Sequence, residues 1–153
     1  MLRNLFSFVR PLESNLIFRT IFEKESSTYT YLLGDSSTKD CVLIDPVLET
    51  VERDQEQINA LGLKLRYAMN THCHADHTTG TGKLKEIFKA DNCKSVIGWK
   101  SEARADVQVK HGDKIKFGHF VSIILLSFSQ PTLIYFVFRN CKCEKPLAIP
   151  MVV

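Results

Sequence analysis

The chain has 153 residues, enough for one domain with a modest core, and its 44% hydrophobic and 24% charged residues are ordinary globular composition. A formal charge of +3, with Lys and Arg scattered and never clustered among aromatics, argues against a nucleic-acid-binding face. Five cysteines, an odd number with no secretory signal ahead of them and no tight stapled spacing, point to reduced thiols in an intracellular compartment.

The first dozen residues carry Arg3 and Arg10, no acid before Glu13, and apolar Leu2, Leu5, Phe6 and Val9 at helical spacing. That pattern reads as a mitochondrial presequence over residues 1–12, the alternative being an ordinary frayed terminus. From residue 13 the text becomes that of a folded domain. Leu16 to Phe22 and Thr28 to Leu33 are rich in β-branched and aromatic residues and predict two strands, the second closed by the turn Gly34-Asp35-Ser36-Ser37. Cys41 to Ile44 predicts a third, fully apolar strand ended by Asp45-Pro46. Leu48, Val51, Ile58 and Leu61 then fall on one helical face, with Glu49, Glu52, Arg53, Asp54, Glu56 and Gln57 mostly on the other and Gly62 as the stop.

Leu63 to Met69 predicts a fourth strand, and it delivers the densest chemistry in the chain: Thr71-His72-Cys73-His74-Ala75-Asp76-His77. Imidazole and carboxylate hold zinc or ferrous iron, and a loop at a strand's end is where a rigid scaffold aims them. Local extension would send His72 and His74 to one side and Cys73 to the other, which makes Cys73 a packed thiol rather than a nucleophile. A helix capped by Thr79 is expected through Leu84, Ile87 and Phe88. Beyond it come a strand at Lys94 to Ile97, a helical turn at Ser101 to Ala105, and a strand at Val107 to Val109. A hairpin turn at Lys110 to Asp113 should lead into Lys114 to Phe117. Strand, helix, strand, ligand loop, helix is an α/β order.

After Phe120 the grammar changes. Residues 119–138 hold no Asp, Glu, Lys or Arg, yet Ser122, Ser127, Ser129, Gln130 and Pro131 interrupt the run. The tail, residues 121–153, has three open readings: buried strands broken at Gln130-Pro131, a C-terminal membrane anchor disfavoured by the polar residues, or sequence foreign to the domain. Cys141-Lys142-Cys143 with Glu144 is weak evidence for a metal, and His111 and His119 read as solvated imidazoles beside the hairpin.

Taken together, Thr28 to Asp35, Val42 to Thr50, Asn70 to His77, Thr79-Gly80-Thr81-Gly82 and His111-Gly112-Asp113 resemble the mitochondrial persulfide dioxygenase branch of the metallo-β-lactamase superfamily over about residues 16–120. The resemblance implies an αββα sandwich, of which residues 13–120 are the first half: a mixed sheet with flanking helices. It implies one Fe2+ held by two His and one Asp, with glutathione persulfide and O2 as substrates, sulfite and glutathione as products, and a mitochondrial matrix location. Carried over by position, His72 matches the first iron ligand. His74, Asp76 and His77 match residues that stand around the iron in this branch and bind metal in dinuclear relatives. Asp45 resembles the structural Asp beside the metal loop, although Asx-Pro turns are common for their own sake.

The second half of that family supplies another His, the metal Asp and the residues that grip glutathione, and nothing after Phe120 matches them. The first sheet would then lose its packing partner and expose an apolar face. Little activity is therefore expected of this chain, and homodimerisation through that face stays open. The alternatives are a glyoxalase II-like Zn2+ thioester hydrolase using His72, His74, Asp76 and His77, or a non-catalytic fragment acting through a partner or membrane.

Overall fold

The structure is a computed structural model and describes residues 15–73, 78–101, 103–126, 134–140 and 147–148. The expected presequence, and with it His74, Asp76, His77, Cys141, Cys143 and Glu144, lies outside the described residues.

Two sheets are present. The first has six strands in sequence order: β1 (Leu16–Glu23), β2 (Thr28–Asp35), β3 (Asp40–Ile44), β4 (Lys64–Met69), β5 (Lys94–Gly98) and β6 (Val107–Val109). Strands β1 to β3 form an antiparallel meander, with Phe18 opposite Leu33 and Leu33 opposite Val42. The steps from β3 to β6 are parallel. Parallel neighbours need crossovers, and α1 (Val51–Ala60) and α2 (Thr81–Ile87) supply the first two. This is the mixed α/β sheet with flanking helices that the element order predicts.

The second sheet holds β7 (Lys114–Phe117), β8 (Phe120–Leu126), β9 (Ile134–Asn140) and β10 (Leu147–Ala148), all antiparallel. Two expectations are corrected here. Lys110 to Asp113 does not close a hairpin: β6 pairs with β5 in the first sheet and β7 with β8 in the second, so the turn carries the chain from one sheet to the other. A tight turn fits either role, and only the partner strands decide. Nor is the first sheet left bare. Ile115, Phe117 and Phe120 pack against Tyr31, Leu33, Val42, Ile44, Met69, Val96 and Val109 in one buried cluster between the sheets. The expected division after residue 120 falls inside β8, whose Val121 and Ser122 stand opposite Lys116 and Ile115.

The other face of the first sheet packs on the helices through Leu32, Leu43, Leu65, Ala68, Val51, Ile58, Leu84 and Phe88. A fully buried Leu, Ile or Phe contributes about 1.5–3 kcal/mol, so these two layers hold the strand ends in place. Asp54, expected on the wet face of α1, is fully buried with Val51 and Ile58 because i, i+3 and i+7 share one side. Burial raises its carboxyl pKa, opposed by the adjacent Arg53, whose Nε and Nη2 donate to Oδ1 at 3.0 and 2.9 Å. The helical turn expected at Ser101 to Ala105 is instead a single 3-10 turn at Trp99–Ser101, held by Ser101 Oγ donating to the Gly98 carbonyl at 2.7 Å.

Candidate metal centre at the end of β4

The loop that follows Met69 is clamped at both ends by the connection between β3 and α1. At its entry, the Asp45 N–H donates to the Met69 carbonyl at 2.8 Å. Asp45 is buried and adopts the left-handed backbone region, φ 52°, which an Asp tolerates better than most residues. That turn aims its carboxylate across the sheet: Oδ1 accepts from the Thr71 N–H and Oδ2 from the Thr71 hydroxyl, both at 2.7 Å. A plain turn former would bond its own loop. Asp45 instead bonds a residue 26 positions away.

Thr71 passes the constraint on. Its Oγ1 lies 2.8 Å from His72 Nδ1. The single hydroxyl proton is committed to the Asp45 carboxylate, so the Thr71 oxygen is an acceptor toward the ring and Nδ1 carries the proton. His72 Nε2 is then the nitrogen with the lone pair. A hydrogen-bonded Nδ1–H is how metal-binding imidazoles are commonly oriented.

At the exit, the Leu48 N–H donates to the Thr78 carbonyl at 2.9 Å, Val47 and Thr79 form an isolated antiparallel bridge, and the Gly80 N–H donates to the Pro46 carbonyl at 2.7 Å. Gly80 is required by this approach, since a Cβ there would sit 2.6 Å from Val51 Cγ2 and 3.0 Å from the Val47 carbonyl oxygen. The Thr79 hydroxyl, expected to cap α2, lies 3.4 Å from the Thr81 nitrogen and makes its shorter bond to Asn70 Oδ1, at 2.8 Å. The Thr81 hydroxyl donates to the same oxygen at 3.1 Å, tying the end of β4 to the start of α2.

Of the expected site residues, then, the structure brings Asp45 to His72 through Thr71, while His74, Asp76 and His77 lie outside the described residues. Among the described residues no three His, Cys, Asp or Glu converge. Cys73 is exposed, not packed: the chain leaves the sheet at Asn70, so strand alternation no longer dictates where side chains point. His111 is exposed as expected. His119 is not simply solvated; it is half-buried, with Nδ1 2.9 Å from Asp35 Oδ2 and 3.1 Å from Ser37 Oγ. The orienting parts of Thr71 and Asn70 are not contained in the ligand pattern itself, although a threonine directly before the first His of a strand-end loop is a legible signal.

The profile of the Metallo-beta-lactamase superfamily matches residues 24–117. Persulfide dioxygenase ETHE1, mitochondrial, of Mus musculus is 55% identical over 105 residues, which is 69% of this chain and 41% of that protein. The Homo sapiens protein of the same name is 52% identical over the same length and shares. The crystal structure of ETHE1 from Myxococcus xanthus superposes with a TM-score of 0.74 at 41% identity, covering 80% of this chain and 53% of that one. The chain thus spans about two fifths of the length of the mammalian relatives it matches. With the sheet order, the strand-end loop and this profile in agreement, the chain belongs to the metallo-β-lactamase superfamily and is a homologue of the persulfide dioxygenases within it.

Proposed function

We propose that the chain is a persulfide dioxygenase-like protein of the mitochondrial matrix that carries the first ligand of an iron site and has little turnover of its own. The reading is supported by the Asp45–Thr71–His72 hydrogen-bond relay, which fixes one imidazole at the end of a buried strand, with Nε2 proposed as the ligating nitrogen. The donor type suits ferrous iron, and iron, when bound, supplies adjacent positions where a soft persulfide sulfur and O2 can meet. One imidazole falls short of a two-His, one-carboxylate triad, and among the described residues no three His, Cys, Asp or Glu converge beside it. What its own residues do is hold: Asp45 fixes Thr71, Thr71 sets the His72 tautomer, and residues 46–48 pin the far end of the loop.

Metal analysis of the purified chain, together with sulfite and oxygen measurements on glutathione persulfide, tests this. We expect iron well below one per chain and sulfite formation near the uncatalysed rate. Stoichiometric iron with turnover would overturn the inactivity. Stoichiometric zinc, with thioester cleavage and no oxygen uptake, would favour the hydrolase reading through His72, His74, Asp76 and His77.

A further inference from the structure

His72 lines a cavity of about 450 Å³ between α2 and the segment joining β5 to β6. That volume is in the range of small-molecule sites, and the same wall that carries the candidate metal ligand also carries Arg104. Val96, Ile97 and Ala103 add apolar surface.

The charges of this wall do not balance. Lys85 Nζ lies 2.6 Å from Asp106 Oδ1, and Asp106 Oδ2 accepts from the Ser95 N–H and hydroxyl at 2.8 and 3.0 Å, so that ion pair is closed on itself. The Thr79 and Thr81 hydroxyls are committed as well, both to Asn70 Oδ1. Arg104 is different: it is exposed and has no carboxylate partner among the described residues. Its guanidinium is the one uncompensated charge on the described part of the wall, and it sits on the cavity that His72 lines.

A guanidinium presents paired N–H donors that match a carboxylate. Glutathione persulfide carries its sulfur in the middle of a peptide with a carboxylate at each end, so a molecule that directs its sulfur to His72 has an anionic end to place elsewhere. The glutamate end bears an ammonium beside its carboxylate, which a guanidinium repels; the glycine end bears a carboxylate alone. We propose that Arg104 is a specificity-determining residue that takes the glycine carboxylate of a glutathione-type persulfide whose sulfur is directed toward His72. The site then selects thiol peptides with a free C-terminal carboxylate over neutral thiols. This rests on the reading of His72 as part of the metal centre, because both residues line one cavity.

Glutathione, a stable stand-in for the persulfide, is titrated into the metal-free full chain by calorimetry, beside glutathione esterified at its glycine carboxylate. The native chain should bind glutathione about tenfold more tightly than the ester, the low end for a hydrogen-bonded charge because Arg104 is exposed. Arg104→Ala should weaken glutathione about tenfold and leave the ester unchanged, so that the preference vanishes; Arg104→Lys should restore part of it. A merely structural role would weaken both ligands alike. The proposal is overturned if glutathione gives no saturable heat, if the native chain binds the ester equally well, if Arg104→Ala keeps the preference, or if it weakens both ligands to the same extent. Iron content and sulfite formation do not enter these measurements. A chain that holds no iron, or holds zinc, still decides the role of Arg104, and a missing carboxylate preference leaves the metal reading standing.

Discussion

Asp35, at the end of β2, and His119, in the turn between β7 and β8, join the two sheets across 84 residues: His119 Nδ1 lies 2.9 Å from Asp35 Oδ2, and the His119 backbone N–H donates to the same oxygen at 2.8 Å. Asp35 is fully buried. Burial raises its carboxyl pKa, but the bonds from Ser37 and His119 more than offset this and hold it well below the usual carboxylate range. A depressed folded pKa stabilises the protein above the unfolded value, near pH 4, and the contribution is lost as pH falls through the lower folded value. Asp35→Asn should therefore cost about 1.5–3 kcal/mol at pH 7, the range for bonds to a charged group, and flatten the acid limb of the stability curve. Urea denaturation between pH 2 and 7 checks both parts; an unchanged acid limb would rule out Asp35 as its source.

The same clamp explains Gly118. Its φ is 55°, and a Cβ there would lie 2.3 Å from Thr38 Oγ1 and 2.5 Å from Asp35 Oδ2. Gly118→Ala combines left-handed backbone strain with overpacking and should cost at least ~2 kcal/mol. Denaturant midpoints would show it, and a loss under half that value would mean the turn relaxes freely.

Thr71→Val keeps the shape of the side chain and removes the hydroxyl that links Asp45 to His72. Loss of such an orienting partner typically lowers metal affinity by about 10–100-fold. Competition titration with a chromophoric chelator should show that loss, with Thr71→Ser restoring most of it. Equal affinities for Thr71→Val and the native chain would mean that the relay does not prepare His72.

Thiol reactivity should divide the cysteines by burial. Cys41 and Cys93 are buried; burial drives the Cys41 thiol pKa far up and pushes that of Cys93 to about 11. Cys73 is exposed. Brief alkylation at pH 8, followed by peptide mass analysis, should label Cys73 and spare Cys41 and Cys93, which react only after unfolding. Labelling of Cys41 in the native chain at the rate of Cys73 would contradict the packing of β3.

How much of this was legible from residues follows the range of the interactions. Strands β1 to β5 and helix α1 are written in local periodicity, because alternation and 3.6-residue spacing record which side of an element meets the core. The blocks around His72 carry the superfamily, because metal chemistry restricts residue type and spacing. Asp54 shows the limit of that reading: a single carboxylate on an apolar face is invisible when charge alone assigns the wet side.

Sequence by itself thus determined the α/β order, the superfamily and the placing of His72 at a strand's end, all properties set within a few residues. Only the tertiary structure decided that Lys110 to Asp113 joins two sheets rather than two strands of one, that Asp45 reaches Thr71, and that Asp35 holds His119. Each depends on which distant segment lies alongside, and that is settled by burying both faces of the first sheet at once, a condition no local stretch of residues records.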